Sequence, residues 1–466
     1  MNPDPSERGS SSLVGSGPIG REEFRRLAEI VLKLSPGQRT FFVLHDGDSG
    51  TTRFANNQIV QNVHTRRVSL AVTVAFGQQH GTATATDFGE ETLRDVVQRA
   101  AQIARLSPPD PEYMPPLQPQ DYPPLSTVRE DTVGAGPTRR IALAREAIEL
   151  CKSEHLTAAG IVSSSFKVVG LAANTGLFAY EPRTESKFSV TAMGAAGSRA
   201  SGWAANVHRS IEQLQVVERT RTAIEKAKRS VELREIPAGR YTVILEPAAV
   251  AGLIGPLVWM LDAKSYYKGT SPFVGKVGRA IIDRRLTLQN RPEHEDLLGD
   301  GFNGEGLPAS EMTWIEHGVL RQLRYDRYTA QEHHVYPTPA LDAPYLSAES
   351  PSHEPASAPG SSVSTLDELI AGTERGILVT NFWYIRTVNP TDLTLTGMTR
   401  DGTFLIEDGR VGSALVDFRW HESPLRALLQ VDGLTAPADA VSNENWKMKL
   451  PALKLRDFNF SSVSRL

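Results

Sequence analysis

The stretch SPPDPEYMPPLQPQDYPPL, residues 107–125, constrains the fold most, because eight of its nineteen residues are proline. Proline fixes φ and gives no backbone N–H, so this stretch suits neither a helix interior nor a central strand. It is expected to run extended, as part of a connector over residues 107–137. The structured parts must form on either side of it. Both flanks carry helical periodicity, in EETLRDVVQRAAQIARL (90–106) and in residues 138–155.

The rest of the chain divides around that connector. Residues 1–17 lack periodicity and read as a flexible tail, and residues 18–106 as an amino-terminal α/β region. Within it, REEFRRLAEIVLKL (21–34) predicts a helix, while FFVLHD, TTRFANNQIVQN and RRVSLAVTVAFG predict strands. GTATATD (81–87) could continue the sheet. Residues 138–230 form a middle α/β region, with strands and Gly/Asn turns over 158–194 and a third helix over about 206–230. From Val231 to Leu466 the chain becomes strand-rich. MTWIEHGVLRQLRYD (312–326) predicts a hairpin around His317-Gly318, and residues 393–420 a three-strand meander turning at Asp401-Gly402 and Asp408-Gly409. Residues 337–365, rich in Pro, Ser and Ala, read as a long loop. The expected fold class is α+β (mixed α/β).

Composition narrows the function. Formal net charge is -4, which argues against bulk electrostatic binding of nucleic acid. A single cysteine, Cys151, excludes an intrachain disulfide and any Cys-rich metal site, and its helical context predicts an ordinary core or semi-exposed thiol. No cationic leader precedes an apolar core and no run of about 20 apolar residues occurs, so a cytoplasmic, membrane-free chain is expected.

Motif searches return little chemistry. A zincin helix needs two nearby histidines and a glutamate beside the first. None of His294-Glu295, His353-Glu354 and His421-Glu422 has a second histidine four or five residues after the first. His333-His334 would face opposite sides of a strand. His-Asp-Gly-Asp at 45–48 lacks the rest of a calcium loop and reads as loop. GDGFNGEG (299–306) lacks the Lys and Ser/Thr of a phosphate loop, and no G-x-S-x-G elbow occurs.

One segment is informative for what it lacks. VILEPAAVAGLIGPLVWML (243–261) reads as a strand entering an apolar helix, with Ala248, Ala249, Leu253, Leu257 and Leu261 as core positions. Together with TRFANNQIVQN (52–62), GFNGEGLPA (301–309) and TNFWYIRTVNPTDLTLTGMTRDGTFLIEDGRV (380–411), it resembles the TldD/PmbA family, also called TldD/TldE or "modulator of DNA gyrase" proteins. The resemblance runs from about residue 20 onward.

In that family the active TldD branch is a zinc peptidase with an H-E-x-x-x-H helix and a cysteine ligand near the carboxy terminus. The resemblance sets Glu246 at the first histidine, Pro247 at the glutamate and Ala251 at the second histidine. No cysteine follows residue 151. It therefore implies no catalytic, cofactor-binding or metal residue in this chain, and a place in the TldE/PmbA branch. Such a chain is expected to be the non-catalytic wall of a chamber, with zinc in a TldD-like partner and unfolded or small peptides as substrate. Extended substrates could pair with an exposed strand edge. Two alternatives remain at this point: a hydrolase with other ligands, drawn from His317, His333, His334 or His421, and a homodimeric peptide-binding scaffold.

Overall fold

The computed structural model describes residues 17–195, 198–339, 341–348, 363–442 and 446–464. The expected tail, apart from Gly17, and about half of the Pro/Ser/Ala-rich stretch lie outside them. The fold is α+β, with three sheets and helices packed on them.

The first sheet joins residues from both sides of the proline connector. Its strands are β1 (Arg39–Ala55), β2 (Gln58–Phe76), β3 (Gln79–Ala85), β4 (Thr157–Ala173), β5 (Phe178–Met193) and β6 (Ser201–His208), in the order β3-β2-β1-β4-β5-β6. All neighbours are antiparallel, and β1 pairs along its length with both β2 and β4. That pairing overrides the local signal at His45-Asp-Gly-Asp, which is strand and not loop. Asp46 there is buried, accepting from Arg66 Nε and Nη2 at 3.0 and 2.9 Å and from the Ile19 N–H at 2.8 Å. The helices Arg21–Leu34 and Glu90–Leu106 share one core with Phe42, Leu44 and Val72. The helices Pro137–Ser153 and Val216–Arg229 share another with Phe54, Val162 and Phe188. Cys151 lies in that second core, where burial pushes its thiol up to about 11.

The helix expected over about 206–230 is shorter than its sequence pattern. Residues up to His208 complete β6, and a 3-10 turn Ile211–Leu214 intervenes before the helix begins at Val216. Pairing with β5 claims the first residues, since an unpaired buried backbone would be costly there.

The proline-rich stretch 107–125 forms no helix or strand and is anchored, while within the span 107–137 a short helix forms at Glu130–Val133 and Pro137 opens the next one. The Tyr113 ring stacks on His80 at 4.9 Å, the Thr175 hydroxyl donates to the Leu117 carbonyl, and the Tyr122 hydroxyl donates to the Gly306 carbonyl at 3.0 Å.

Beyond it lie two further sheets. The large one runs Phe382–Asn389, Thr394–Thr399, Phe418–Glu422, Leu453–Val463, Gly239–Leu245, Arg375–Val379, Thr403–Glu407, Arg410–Leu415 and Leu233–Arg234, with Val431–Leu434 beside Leu453–Val463. The expected meander is therefore only half correct. Asp408-Gly409 closes a hairpin, but Asp401-Gly402 leads across the sheet, and four strands separate Thr394–Thr399 from Thr403–Glu407. The small sheet contains the His317-Gly318 hairpin and, within the expected long loop, a strand Pro344–Ser347 held between Thr287–Asn290 and Lys447–Leu450. The helix Pro247–Trp259 lies in the core shared by these two sheets, where Leu253 and Leu257 join Trp314 and Met448 of one and Phe382 and Trp420 of the other.

Candidate functional site

The helix Pro247–Trp259 starts where the parallel strands Gly239–Leu245 and Arg375–Val379 end. The Glu246 N–H still donates to the Val379 carbonyl at 3.0 Å, and the next residue is the first helical one. Proline fits that place because the first-turn N–H has no helical partner. Glu246 is the N-cap residue, but its side chain does not cap.

Instead, Lys226 Nζ of the helix Val216–Arg229 donates to Glu246 Oε2 at 2.9 Å, with the two side chains only 14 and 21 % exposed. Ion pairs removed from water in this way hold their partners in place more than they add net stability. Lys226 also lies close enough to Asp401 to oppose the upward shift of that carboxyl. Burial causes the shift, and a hydrogen bond from Ser201 on β6 opposes it as well. Behind Asp401 is Asp417, whose Oδ1 accepts from the Thr399 and Thr403 hydroxyls at 3.0 and 3.1 Å. Burial dominates there and pushes the carboxyl up to about 6. This end of the helix is closed, polar and internally paired.

Glu246, Pro247 and Ala251 do not fit a zinc ion. They offer one carboxylate, already neutralised by an ammonium; Pro247 has no donor side chain, and Ala251 is a buried methyl. Among the described residues no group of three or more His, Cys, Asp or Glu side chains is gathered as a metal would need.

The groove-facing side of the same helix, from Ala248 to Trp259 and including Ala251, is different. Beside it lies a groove of about 290 Å³, floored by the small residues Ala248, Gly252 and Gly255. Its opposite wall is the edge strand Phe382–Asn389, from Trp383 to Thr387. Trp259 and Trp446 close one end, their rings 6.5 Å apart and nearly parallel at 10°. Several of these aromatics face solvent, Trp259 being 52 % and Tyr384 54 % exposed. A contiguous exposed aromatic surface of this kind marks a binding site more often than chance.

Small helix residues make the groove possible. A Cβ on Gly252 would stand 2.7 Å from Ile385 Cδ1, so any side chain there would displace the wall. The edge strand is irregular: its register shifts between Trp383 and Arg386 and again before Asn389, and Tyr384 has φ of +54°. Bulges of this kind keep an edge from templating another straight strand. This edge is therefore a bulged wall, and the groove beside it is the accessible feature.

The other sequence candidates do not converge. His333 caps the short helix Arg327–Glu332 and stacks on Tyr267 at 3.4 Å, while His334 takes a left-handed φ of +55°. They sit at a helix end and not on a strand. His317 is at its hairpin turn, and His421 is in the strand Phe418–Glu422. His353 lies outside the described residues. Gly301 of GDGFNGEG donates its N–H to both Glu181 carboxyl oxygens at 3.2 and 3.0 Å, and Gly306 takes φ of +86°. Sequence reasoning missed Lys226, Asp417, Trp383, Tyr384, Arg386 and Trp446. Only the apolar cluster NFWYI carried a visible signal, since aromatics beside an edge strand are a surface feature.

The α+β architecture and its helix-centred site are those of a known protein family. Models of the PmbA/TldA metallopeptidase match residues 42–104 (domain 1), 133–231 (central domain) and 238–462 (C-terminal domain). The chain belongs to the PmbA/TldD family. It is 24% identical over 297 residues to the metalloprotease PmbA of Escherichia coli O157:H7, covering 61% of this chain and 65% of that protein. It is 24% identical over 234 residues to a metalloprotease of Methanothermobacter thermautotrophicus, 48% of this chain and 49% of that one. The matches thus span about half to two thirds of these relatives' length. Among solved structures, TldE from Thermococcus kodakarensis superposes with a TM-score of 0.83 at 18% identity, over 94% of this chain and 99% of that chain. A Thermotoga maritima protein described as a candidate modulator of DNA gyrase superposes at 0.82 with 17% identity, over 94% and 99%.

Proposed function

We propose that this chain is a TldE/PmbA-like, non-catalytic subunit of a TldD-type zinc metalloprotease, contributing chamber wall and peptide-contact surface. In this reading Glu246, Pro247 and Ala251 occupy the positions of a zinc-binding helix, and a TldD-like partner holds the zinc and activates water. The substrates are unfolded or small peptides, and the assembly is cytoplasmic. No helix among the described residues is long and apolar enough to cross a membrane.

The observation that carries the proposal is the Lys226–Glu246 pair. An ammonium occupies the coordination space of the one acidic side chain at the start of the helix, where a general base or a metal would need that carboxylate free. The helix has its core positions filled, which supports a reading in which the architecture serves without zinc chemistry of its own.

The test is isolation of the chain from native lysate, followed by metal analysis of the chain alone and of whatever copurifies. Zinc in a copurified subunit, with none in the chain alone, supports the proposal. Stoichiometric zinc in the isolated chain, or chelator-sensitive peptide cleavage by it, overturns it.

A further inference from the structure

The groove beside Gly252 carries more chemistry than an apolar slot. Pro256, inside the helix, has no N–H to give the Gly252 carbonyl one turn earlier, so that acceptor lacks its helical donor. Both residues line the groove. The opposite wall holds Arg386, whose guanidinium lies over the Tyr384 ring at 4.4 Å and donates to the Ile385 carbonyl at 2.7 Å. Among the described residues it meets no carboxylate, and no described residue lining the groove is acidic. The apolar floor, the acceptor and the cation are within one small cavity.

We propose that this groove receives the carboxy-terminal residue of an extended peptide. This rests on the peptide-contact reading above and specifies its ligand. A bulky apolar side chain lies between Ile385, which packs on Gly252, and the Trp259–Trp446 stack. The terminal carboxylate meets Arg386, a charge-assisted pairing. The last backbone N–H donates to the Gly252 carbonyl. A volume of about 290 Å³ suits one large residue and its backbone, which favours a chain end over a strand passing through.

The probes are dansyl-Gly-Leu-Phe with a free carboxylate, the same peptide as its amide, and dansyl-Gly-Phe-Asp amide, whose only carboxylate is on a side chain. Each is titrated into the purified full chain and followed by fluorescence anisotropy. The free acid is expected to bind about tenfold more tightly than either amide. Arg386→Gln is expected to bring the acid to the level of its amide while leaving the amide unchanged, and Trp259→Ala to weaken both. Both side chains are exposed or half-exposed, so the variants should fold, and circular dichroism checks that.

Equal affinity for acid and amide, retention of the preference in Arg386→Gln, or no binding of any probe overturns the inference. So does equal binding of the Asp amide, which would make the site a reader of acidic side chains. Loss of a copurifying subunit in Trp259→Ala, with peptide binding unaffected, would make the groove a subunit interface and overturns it too. The subunit proposal is judged separately, by where zinc is found.

Discussion

At its amino end the helix Pro247–Trp259 meets a buried ion pair, and along one face, from Ala248 to Trp259, it borders an open aromatic groove. One end is closed by Lys226 from the middle of the chain, reinforced by Asp401 and Asp417 at the same domain junction. Along the groove, Gly252 lets the Ile385 side chain of the wall pack directly against the helix. The contrast shows how a helix can keep its place in a fold while the chemistry available along it changes. Core packing depends on Leu253, Ile254 and Leu257, and these are indifferent to what stands at either end.

The comparison can be broken most severely through the helix face that both ends share. Leu253→Ala removes a fully buried side chain and is expected to cost about 2–5 kcal/mol, measured by urea unfolding. Trp259→Ala, on the groove side, should cost far less than Leu253→Ala in the same assay. Similar losses in the two variants would mean that the groove wall is core and not surface.

The buried Asp401–Asp417 neighbourhood beside the closed end should respond to pH. The Asp417 carboxyl is raised from its ordinary value to about 6, so the folded chain holds that proton more tightly than the unfolded chain. Its contribution is greatest below the ordinary carboxylate range, falls as pH rises from about 4 to about 6, and is flat above that. The expected loss is roughly 2–3 kcal/mol across that window. Asp417→Asn keeps an oxygen for the Thr399 and Thr403 hydroxyls and should reduce the slope of this part of the stability–pH curve, with the buried Asp342, raised to about 7, supplying the remainder. An unchanged curve would show that Asp417 titrates normally.

A smaller effect is expected from Lys226→Met, which strands Glu246 in a mostly buried position. Thermal unfolding should report a loss of about 1–3 kcal/mol, and adding Glu246→Gln should recover much of it, because removal of both charges relieves the unpaired carboxylate. No recovery in the double variant would mean that the pair does not act as a unit.

Much of the local structure was legible. The helices at 21–34, 90–106 and 137–153 follow from apolar periodicity, and the lack of helix or strand over 107–125 follows from its prolines. The turns at His317-Gly318 and Asp408-Gly409 follow from residues that tolerate positive φ, which they adopt here. The errors share a cause. His45-Asp-Gly-Asp, residues 206–208 and Pro344–Ser347 are strands because neighbouring strands distant in sequence complete their hydrogen bonds. Strand preference is weak without that pairing. The meander failed for a related reason: a turn signal at Asp401-Gly402 says that the chain changes direction, but not which strand it then joins.

The sequence by itself determined that residues 243–261 form a strand and an apolar helix, that this helix lacks histidine, and that no cysteine follows residue 151. Those are properties of residue identity and local periodicity. Only the tertiary structure decided that Lys226 meets Glu246, twenty residues away and from another helix. It alone set a bulged edge strand, more than a hundred residues later in the chain, against Gly252. Ion pairing and cavity shape depend on which surfaces the sheets bring within a few ångströms, and that is fixed by long-range strand pairing and core packing, which local sequence does not encode.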